Sequence, residues 1–520
     1  MKRLIILIVS LALWCTSASA QLTEQQQIQK LNYVYQQIRT NYVDDVPLQP
    51  LVEEAIKATL KELDPHSTYL TQEQMTSLRT RLRGEFAGIG IRYIVHNDTV
   101  VVRSTLDRSP AQRAGIELND RIVTINDQCV VGLTTDSIAS LLKGSENTKV
   151  SLGITRRGEP KTLRINLHRD IIESSAISAA FRIDSVGYIA ISHFSKPLAT
   201  EFLKAYRALG DVTSLVVDLR NNGGGAINSA IDLSSLFLDE GDIIVSTEGR
   251  TNSIVYKKRN SIRLNIPLVV VINESSASAS EIFAGAIQDY DRGVIIGRTS
   301  FGKGLVQRVI DLKDGSGISL TIARYKTPSG RIIQRPYTMG KGEEYQRDTM
   351  RFMHPDSIAH NPEHLFTTLK RGRTVYGGGG ITPDIYVEDS PINLSPRLLE
   401  LYHKASFEHT AVEIWDSLSY KTLLEQYPTI DSFSAEFEVS ERIIELFNAC
   451  NDCTCDEFTA LDNTFIRTMI KATMAEQLYG PQARQQIYHK EFDPTLQQAL
   501  TIANDTAQHD EILCNTDTYK

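Results

Sequence analysis

Four serines, Ser275, Ser276, Ser278 and Ser280, fall within six positions of the stretch NESSASASEIFAGA, residues 273–286. A serine hydroxyl becomes a useful nucleophile when a neighbouring base takes its proton, yet no histidine lies between His193 and His354. A lysine amine can do that work if burial lowers its pKa from about 10.4 towards neutrality. Lys303 is flanked by Gly302 and Gly304, which let backbone and side chain enter a crowded cleft. If the segment after it is extended, Lys303, Leu305 and Gln307 share one face. Gln307 could then orient the amine without holding it charged, as a carboxylate would.

These residues must be positioned by elements that the sequence also predicts. The apolar run Ile266–Ile272 feeding SASASEIFAGAI reads as strand, sharp turn and helix, which displays a hydroxyl beside the first unpaired N–H groups of a helix. Ser278 and Glu281 equally fit a Ser-x-x-Glu capping box, so helix capping is an alternative for the same serine. VVDLRNNGGGA (216–226) is strand, glycine turn and helix start, but a dinucleotide fingerprint counted from Gly223 needs glycine where Asn228 stands. GRTSFGKG (297–304) matches most of a P-loop, yet Gly304 replaces the Ser or Thr that holds Mg²⁺. LVQRVIDL after it reads as a strand where a P-loop opens a helix.

Strand-like runs at 186–191, 214–220, 266–273 and 294–297 alternate with helical patterns at 199–209, 226–238 and 278–288, an α/β layer arrangement. Residues 22–83 carry apolar residues at helical spacing, broken by DPHSTYL (64–70), where His66 reads as a turn residue with no partner at metal spacing. From Leu394 the chain is helical again. Between them, from Gly84 to about Arg169, lie short β-rich runs. FAGIGI (86–91) and SPAQRAGIELNDRIVTIND (109–127) resemble the carboxylate-binding loop and the turn-to-strand segment of a PDZ domain. That resemblance implies peptide binding at Gly88, Ile89, Gly90 and Ile91, with a peptide C-terminus added as a strand at a sheet edge. A small β-domain whose glycines only make turns is the alternative.

The chain has 520 residues, 41% hydrophobic and 23% charged, enough for several cores, and a formal charge of -8 with no polybasic run, which argues against nucleic acid or an anionic membrane surface as partner. Residues 1–20 carry Lys2 and Arg3, an apolar run from Leu4 to Trp14 and Ala18-Ser19-Ala20, the pattern of a cleaved signal peptide. The apolar run is shorter than the about 20 residues a span requires. Export permits disulfides, and Cys129, Cys450, Cys453, Cys455 and Cys514 would remain. CNDCTC (450–455) lacks a second C-x-x-C or a nearby histidine for zinc, so a local disulfide is expected there.

SASASEIFAGAIQD (276–289), TSFGKGLVQ (299–307), VDLRNNGGG (217–225), DPHSTYL and RTVYGGGGITPD (373–384) together resemble the C-terminal processing peptidases, or tail-specific proteases, over roughly residues 30–390. The resemblance implies Ser278 as nucleophile, Lys303 as base, Gln307 as its partner, and Gly224 and Ala279 as oxyanion-hole candidates. Where that family commonly has Asn-Pro-Gly-Gly, this chain has Asn222-Gly223-Gly224-Gly225. The implied fold class is multidomain α+β. It comprises a signal peptide (1–20), an N-terminal helical region (21–83), an inserted PDZ domain (84–170), a crotonase-like α/β peptidase core (171–390) and a C-terminal helical region (391–520). The implied function is an exported, periplasmic serine endopeptidase acting on unfolded or tail-exposed polypeptides, without metal or cofactor. Association with the membrane surface and homo-oligomerisation through the C-terminal helices stay open. A catalytically silent PDZ scaffold and a Ser-Lys amidase or esterase for small substrates are the competing readings. Intact Ser278, Lys303 and Gln307 argue against the first, and a PDZ domain argues against the second.

Overall fold

The computed structural model describes residues 22–347, 362–388 and 393–515; the expected signal peptide, with Cys15, lies outside the described residues. The chain divides after Leu63 into two compact units. In the first, helix Glu24–Asn41 is opened by a reciprocal Thr23–Gln26 capping box and followed by helix Leu48–Lys61. No described helix is long and apolar enough to cross a membrane.

The second unit is built on a six-stranded sheet. Ile177–Ile183 runs antiparallel to Val186–Ile191, and from there Ser214–Asp218, Leu268–Ile272, Val294–Gly297 and Ile385–Tyr386 follow in parallel. The three central strands are buried along their whole lengths, as parallel strands covered on both faces must be. One face, with Leu215, Val217, Leu268 and Val270, packs against Phe202, Phe237 and Phe283 of the covering helical segments. The other, with Val216, Val269 and Val271, packs against Leu496, Ala499 and Ile502 of helix Pro494–Asn504. The C-terminal helical region, to which the sequence assigns no role, thus supplies one layer of the core. Arg220 secures that layer, bonding Asp218 and, at 2.7 and 2.8 Å, the Asp493 carboxylate that caps the same helix.

Helix Ala279–Asp289 is buried at every position, so each of its polar side chains needs a partner. Gln288 donates to the Thr382 carbonyl and to Asp384, both at 2.9 Å, and Asp289 pairs with the fully buried Arg331. The stretch RTVYGGGGITPD closes on itself through Arg373, which reaches Asp384 at 2.7 Å and Asp291 at 2.6 Å, all three side chains being at most 1% exposed.

A second sheet joins Thr68–Leu70, Gly317–Lys326, Ile243–Gly249 and Ser253–Lys257, with Leu305–Asp311 also paired to Gly317–Lys326. A third, of six strands, carries helix Thr135–Leu142 and its own apolar core around Val100, Ile122 and Leu152. Its entry and exit segments are held together, since Glu85–Gly88 pairs with Asp170–Glu173 and the Ser174 N–H donates to the Gly84 carbonyl at 2.7 Å. The helices between Pro396 and Phe492 form a separate apolar cluster around Trp415, Phe447 and Phe465. The local disulfide expected in CNDCTC is not formed between its two described side chains. Cys450 ends a helix with an exposed thiol, whereas Cys453 turns inward, its thiol 3.5 Å from Asn448 Oδ1.

Replacing Arg373 by Met leaves Asp291 and Asp384 buried without their cation, and we expect a loss of about 3–5 kcal/mol. The check is the urea midpoint against wild type. Arg373→Lys should recover little, because one ammonium cannot span two carboxylates as a guanidinium does.

Candidate active site

Three loops follow three adjacent parallel strands, Ser214–Asp218, Leu268–Ile272 and Val294–Gly297, and so gather at one edge of the sheet. Ligands of open α/β sheets bind outside the carboxyl ends of such strands. The loops carry the glycine turn, the serine run and Lys303 respectively.

The serine run is stitched to the glycine turn by its other serines. Ser276 Oγ accepts the Asn273 N–H at 2.9 Å and donates to the Leu219 carbonyl at 2.8 Å. Ser280 Oγ donates to the Asn222 carbonyl at 2.8 Å, and the same carbonyl takes the Ala277 N–H at 3.0 Å. Both serines are fully buried, whereas Ser278 between them is only half-buried and heads the helix with φ 57° and ψ −108°. A non-glycine residue there is strained by about 1–3 kcal/mol and persists only where its surroundings impose it. Gly224, at φ +93°, lies so close that a Cβ on it would stand 2.6 Å from the Ala277 carbonyl and 2.9 Å from the Ala279 nitrogen. Gly224 and Ala279 are therefore brought together beside Ser278. The Gly224 N–H is engaged by Asn222 Oδ1 at 2.9 Å, and that amide is fixed by its own bond to the Ile191 carbonyl at 2.8 Å.

One buried carboxylate joins the serine turn to the lysine loop. Glu281 Oε2 accepts the Ser278 N–H at 2.8 Å and the Lys303 N–H at 2.9 Å. Its Oε1 accepts the Ser300 hydroxyl and the Gly302 N–H, both at 2.6 Å. The Ile381 N–H donates to Ser300 Oγ, which fixes that hydroxyl as the donor towards Glu281. Burial pushes the Glu281 carboxyl upwards and the four donors oppose it. With two donors on each oxygen, the ionised form has its acceptor positions filled. On the opposite side the Tyr325 hydroxyl lies against the Ser278 carbonyl at 3.2 Å and against the Lys303 carbonyl.

Burial lowers the Lys303 amine below its usual range, with Arg81 acting the same way and Glu281 and Asp64 opposing. Gln307 stands opposite Thr321, because a bulge between Val306 and Gln307 inserts one residue in the partner strand. It donates to Thr321 Oγ1 at 3.2 Å, and Thr321 donates to Asp64 at 3.0 Å. Asp64 also takes the His66 and Ser67 N–H groups and the Ser67 hydroxyl, which shapes DPHSTYL into a turn. His66 lies beside Phe301 and Tyr345, and burial first, then Lys303, lowers it to about 4, so it is neutral near pH 7.

Gly88, Ile89, Gly90 and Ile91 run from strand Glu85–Gly88, paired only with Asp170–Glu173, into strand Ile91–His96 of the third sheet. Ile89 is buried, its carbonyl taking the Ala111 N–H at 2.9 Å. The Gly90 carbonyl takes the Leu106 N–H at 2.9 Å and the Ser109 hydroxyl at 3.1 Å. Ile91–His96 is terminal in its sheet, paired on one side only with Thr99–Thr105.

Sequence reasoning found Glu281 only as a cap, and its second role could have been suspected from a carboxylate inside an otherwise apolar helix. Tyr325 and Thr321 had no local signal, since both act across a sheet pairing that the sequence does not specify. Asp64 had one, the residue before Pro65 in DPHSTYL.

Sequence profiles of known families match three stretches: "Peptidase family S41" residues 185–340, "PDZ domain" residues 87–167, and "Activating protease CtpB N-terminal domain" residues 12–74. A carboxy-terminal-processing protease of Bartonella bacilliformis is 36% identical over 319 residues, covering 59% of this chain and 73% of that protein. A probable CtpA-like serine protease of Staphylococcus aureus is 34% identical over 328 residues, covering 62% of this chain and 64% of that protein. Among solved structures, a photosystem II D1 C-terminal processing protease aligns with 26% identity and a TM-score of 0.35, over 70% of this chain and 87% of that one.

The glycine turn yields a paired prediction. Gly224→Ala should cost at least about 2 kcal/mol, given its positive φ and the backbone a Cβ would meet. Gly223→Ala, where a Cβ meets nothing within 4 Å, should stay within about 0.5 kcal/mol of wild type. Thermal melts of the two variants decide.

Proposed function

The chain belongs to the C-terminal processing peptidases of peptidase family S41, and from that premise we propose that it is an exported endopeptidase using a Ser278–Lys303 mechanism on polypeptide tails captured by its PDZ domain. It is a serine-type peptidase by that membership. The observation that carries the Ser-Lys assignment is the Glu281 carboxylate, one oxygen of which holds the backbone N–H groups of both Ser278 and Lys303. A helix cap alone has no need to recruit a loop carrying a buried lysine.

In this mechanism neutral Lys303 takes the Ser278 proton as Oγ attacks the scissile carbonyl carbon. The ammonium so formed returns that proton to the departing amine, which leaves an acyl ester on Ser278. Water, deprotonated by the again neutral Lys303, then releases the acid and restores the serine. The Ala279 and Gly224 N–H groups are the proposed oxyanion donors, and Gly224 must turn its N–H from Asn222 Oδ1 towards the oxyanion to act. Gln307, whose amide NH₂ is committed to Thr321, has its Oε1 left to orient the Lys303 amine. For tail capture, the open edge of Ile91–His96 offers strand pairing and the Gly88–Ile91 loop offers amides to a carboxylate. Export, to the periplasm, is proposed on residues 1–20.

Lys303→Arg is the decisive substitution, because Arg keeps the charge and cannot deprotonate. Peptide hydrolysis by the folded variant should fall by about 10²- to 10⁴-fold, and substantial turnover would refute the base. Ser278→Ala should be inactive while Ser276→Ala and Ser280→Ala keep a measurable fraction.

Glu281→Gln tests the link through pH. The neutral fraction of Lys303 grows as pH rises through its lowered pKa, so kcat/KM should climb with pH. Glu281 raises that pKa, so its neutral replacement should lower activity and also move the remaining acid limb to lower pH. A reduced rate with an unmoved limb would leave Glu281 a purely structural residue.

A further inference from the structure

Three arginines are among the largest fully buried side chains, Arg331, Arg335 and Arg373. Arg331 pairs with Asp289, and Arg373 with Asp291 and Asp384. Arg335 is 1% exposed and has no carboxylate partner among the described residues, and its Nε and Nη2 both lack hydrogen-bond acceptors. These two nitrogens are neighbours on one edge of the guanidinium, the pair that a carboxylate takes bidentately. A buried cation that cannot lose its proton is costly unless it is paired.

The surroundings hold the group while leaving that edge unused. Its carbon lies 4.0 Å from the centre of the Tyr345 ring and 4.6 Å from that of Phe301, and its side chain also hydrogen-bonds the Tyr345 phenol, while Nε and Nη2 stay without acceptors. Arg335 lines a cavity of about 180 Å³ together with Tyr337, Thr338, Lys341, Glu344 and Tyr345. Lys341 and Glu344 pair with each other at 3.1 Å, so Arg335 supplies the uncompensated charge of that lining. That space is about tenfold what a single water needs, enough for a carboxyl-ended side chain.

The cavity adjoins the proposed catalytic lysine. The Arg335 N–H donates to the Gly302 carbonyl at 2.9 Å, and the side chain of Gln334 takes the Gly304 N–H at 2.8 Å, so residues 334–335 bracket Lys303. His66, which adjoins both Phe301 and Tyr345, is neutral near pH 7 and cannot compete for an anion. We propose that Arg335 is the floor of a substrate subsite that takes a carboxylate of the bound polypeptide, and so selects for an acidic residue near the scissile bond. The proposal rests on the Ser278–Lys303 site assigned above and names a substrate preference for it.

The test uses C-terminally amidated peptides, in which each position around a mapped cleavage point carries Glu, Gln or Lys in turn. A second set ends in a free carboxylate at those same positions. kcat/KM is measured for wild type, Arg335→Met and Arg335→Gln, with folding checked by thermal melt. Binding of the same peptides is measured on Ser278→Ala by fluorescence anisotropy, with and without the Arg335 substitutions, so that the subsite is tested even if hydrolysis is absent. At one position wild type should prefer Glu over Gln by about tenfold or more, chiefly through KM, and Lys should be poorest. Both substitutions should bring the Glu-to-Gln ratio close to one. A preference confined to the second set assigns the subsite to a chain terminus, and one for internal Glu assigns it to a side chain. Equal handling of Glu and Gln by wild type in both rate and binding overturns the proposal, as does a preference that survives in either folded Arg335 variant. Loss of hydrolysis with the binding preference intact would count against the Ser-Lys reading and not against this subsite.

Discussion

A single buried carboxylate ties the centre together. Glu281 lies one turn into a helix with no solvent-exposed position, and its two oxygens collect four donors from the serine turn and the loop 300–303. Burying an ion in this way is tolerated because every acceptor position is used, and removing any donor would leave part of the charge uncompensated. The arrangement also explains how Ser278 keeps a backbone conformation that it would not adopt alone. Its N–H is held by Glu281 and its carbonyl lies against Tyr325, so both of its backbone polar groups are occupied on either side of the strained bonds. Helix capping and nucleophile display, alternatives at the level of sequence, are therefore compatible: Glu281 holds the backbone of Ser278, the residue proposed above as nucleophile.

The sheet makes that convergence possible. Parallel pairing brings residues more than fifty apart in sequence, such as Asn222 and Ser280, into contact without a long excursion of either loop. The hydroxyls of Ser276 and Ser280 both donate to carbonyls of the neighbouring loop, Leu219 and Asn222. Of the four serines in six positions, Ser276 and Ser280 bind loop to loop, Ser278 between them is left half-buried at the head of the helix, and Ser275 is exposed. The opposite face of the same sheet is covered by helix Pro494–Asn504, so the far C-terminal region packs directly behind the strands that carry the site.

Much of this was legible in the sequence because it is local. Strand, turn and helix around Ser278, the extended segment after Lys303 and the glycine turn all follow from periodicity and punctuation over short windows, and Ser278–Glu281 was readable as a cap from its spacing alone. What stayed hidden depends on pairings across the chain. Thr321 meets Gln307 only through a bulged register between Leu305–Asp311 and Gly317–Lys326, and Arg373 meets Asp291 through a loop crossing. The core role of residues 494–504 was unreadable for a similar reason: an amphipathic helix declares that one face is covered, but not by what. The local disulfide expected in CNDCTC is not formed between its two described side chains, because Cys450 ends a helix at the surface while Cys453 turns inward, its thiol 3.5 Å from Asn448 Oδ1.

The electrostatics of the centre follow from how each group meets burial. Lys303 and His66 are both pushed towards neutrality by desolvation, and each, when charged, would push the other further. Glu281 meets the same penalty, which raises its carboxyl while its four donors oppose the rise. The centre thus sets a buried carboxyl with four donors beside Ser278, a guanidinium beyond the lysine loop, and an amine that burial draws towards neutrality. Burial, the largest influence, and Arg81 draw that amine down while Glu281 and Asp64 draw it up, and the net shift is downwards. In the mechanism proposed above, an amine lowered in this way can accept a proton from serine and return it within one cycle, which a salt-bridged amine could not do.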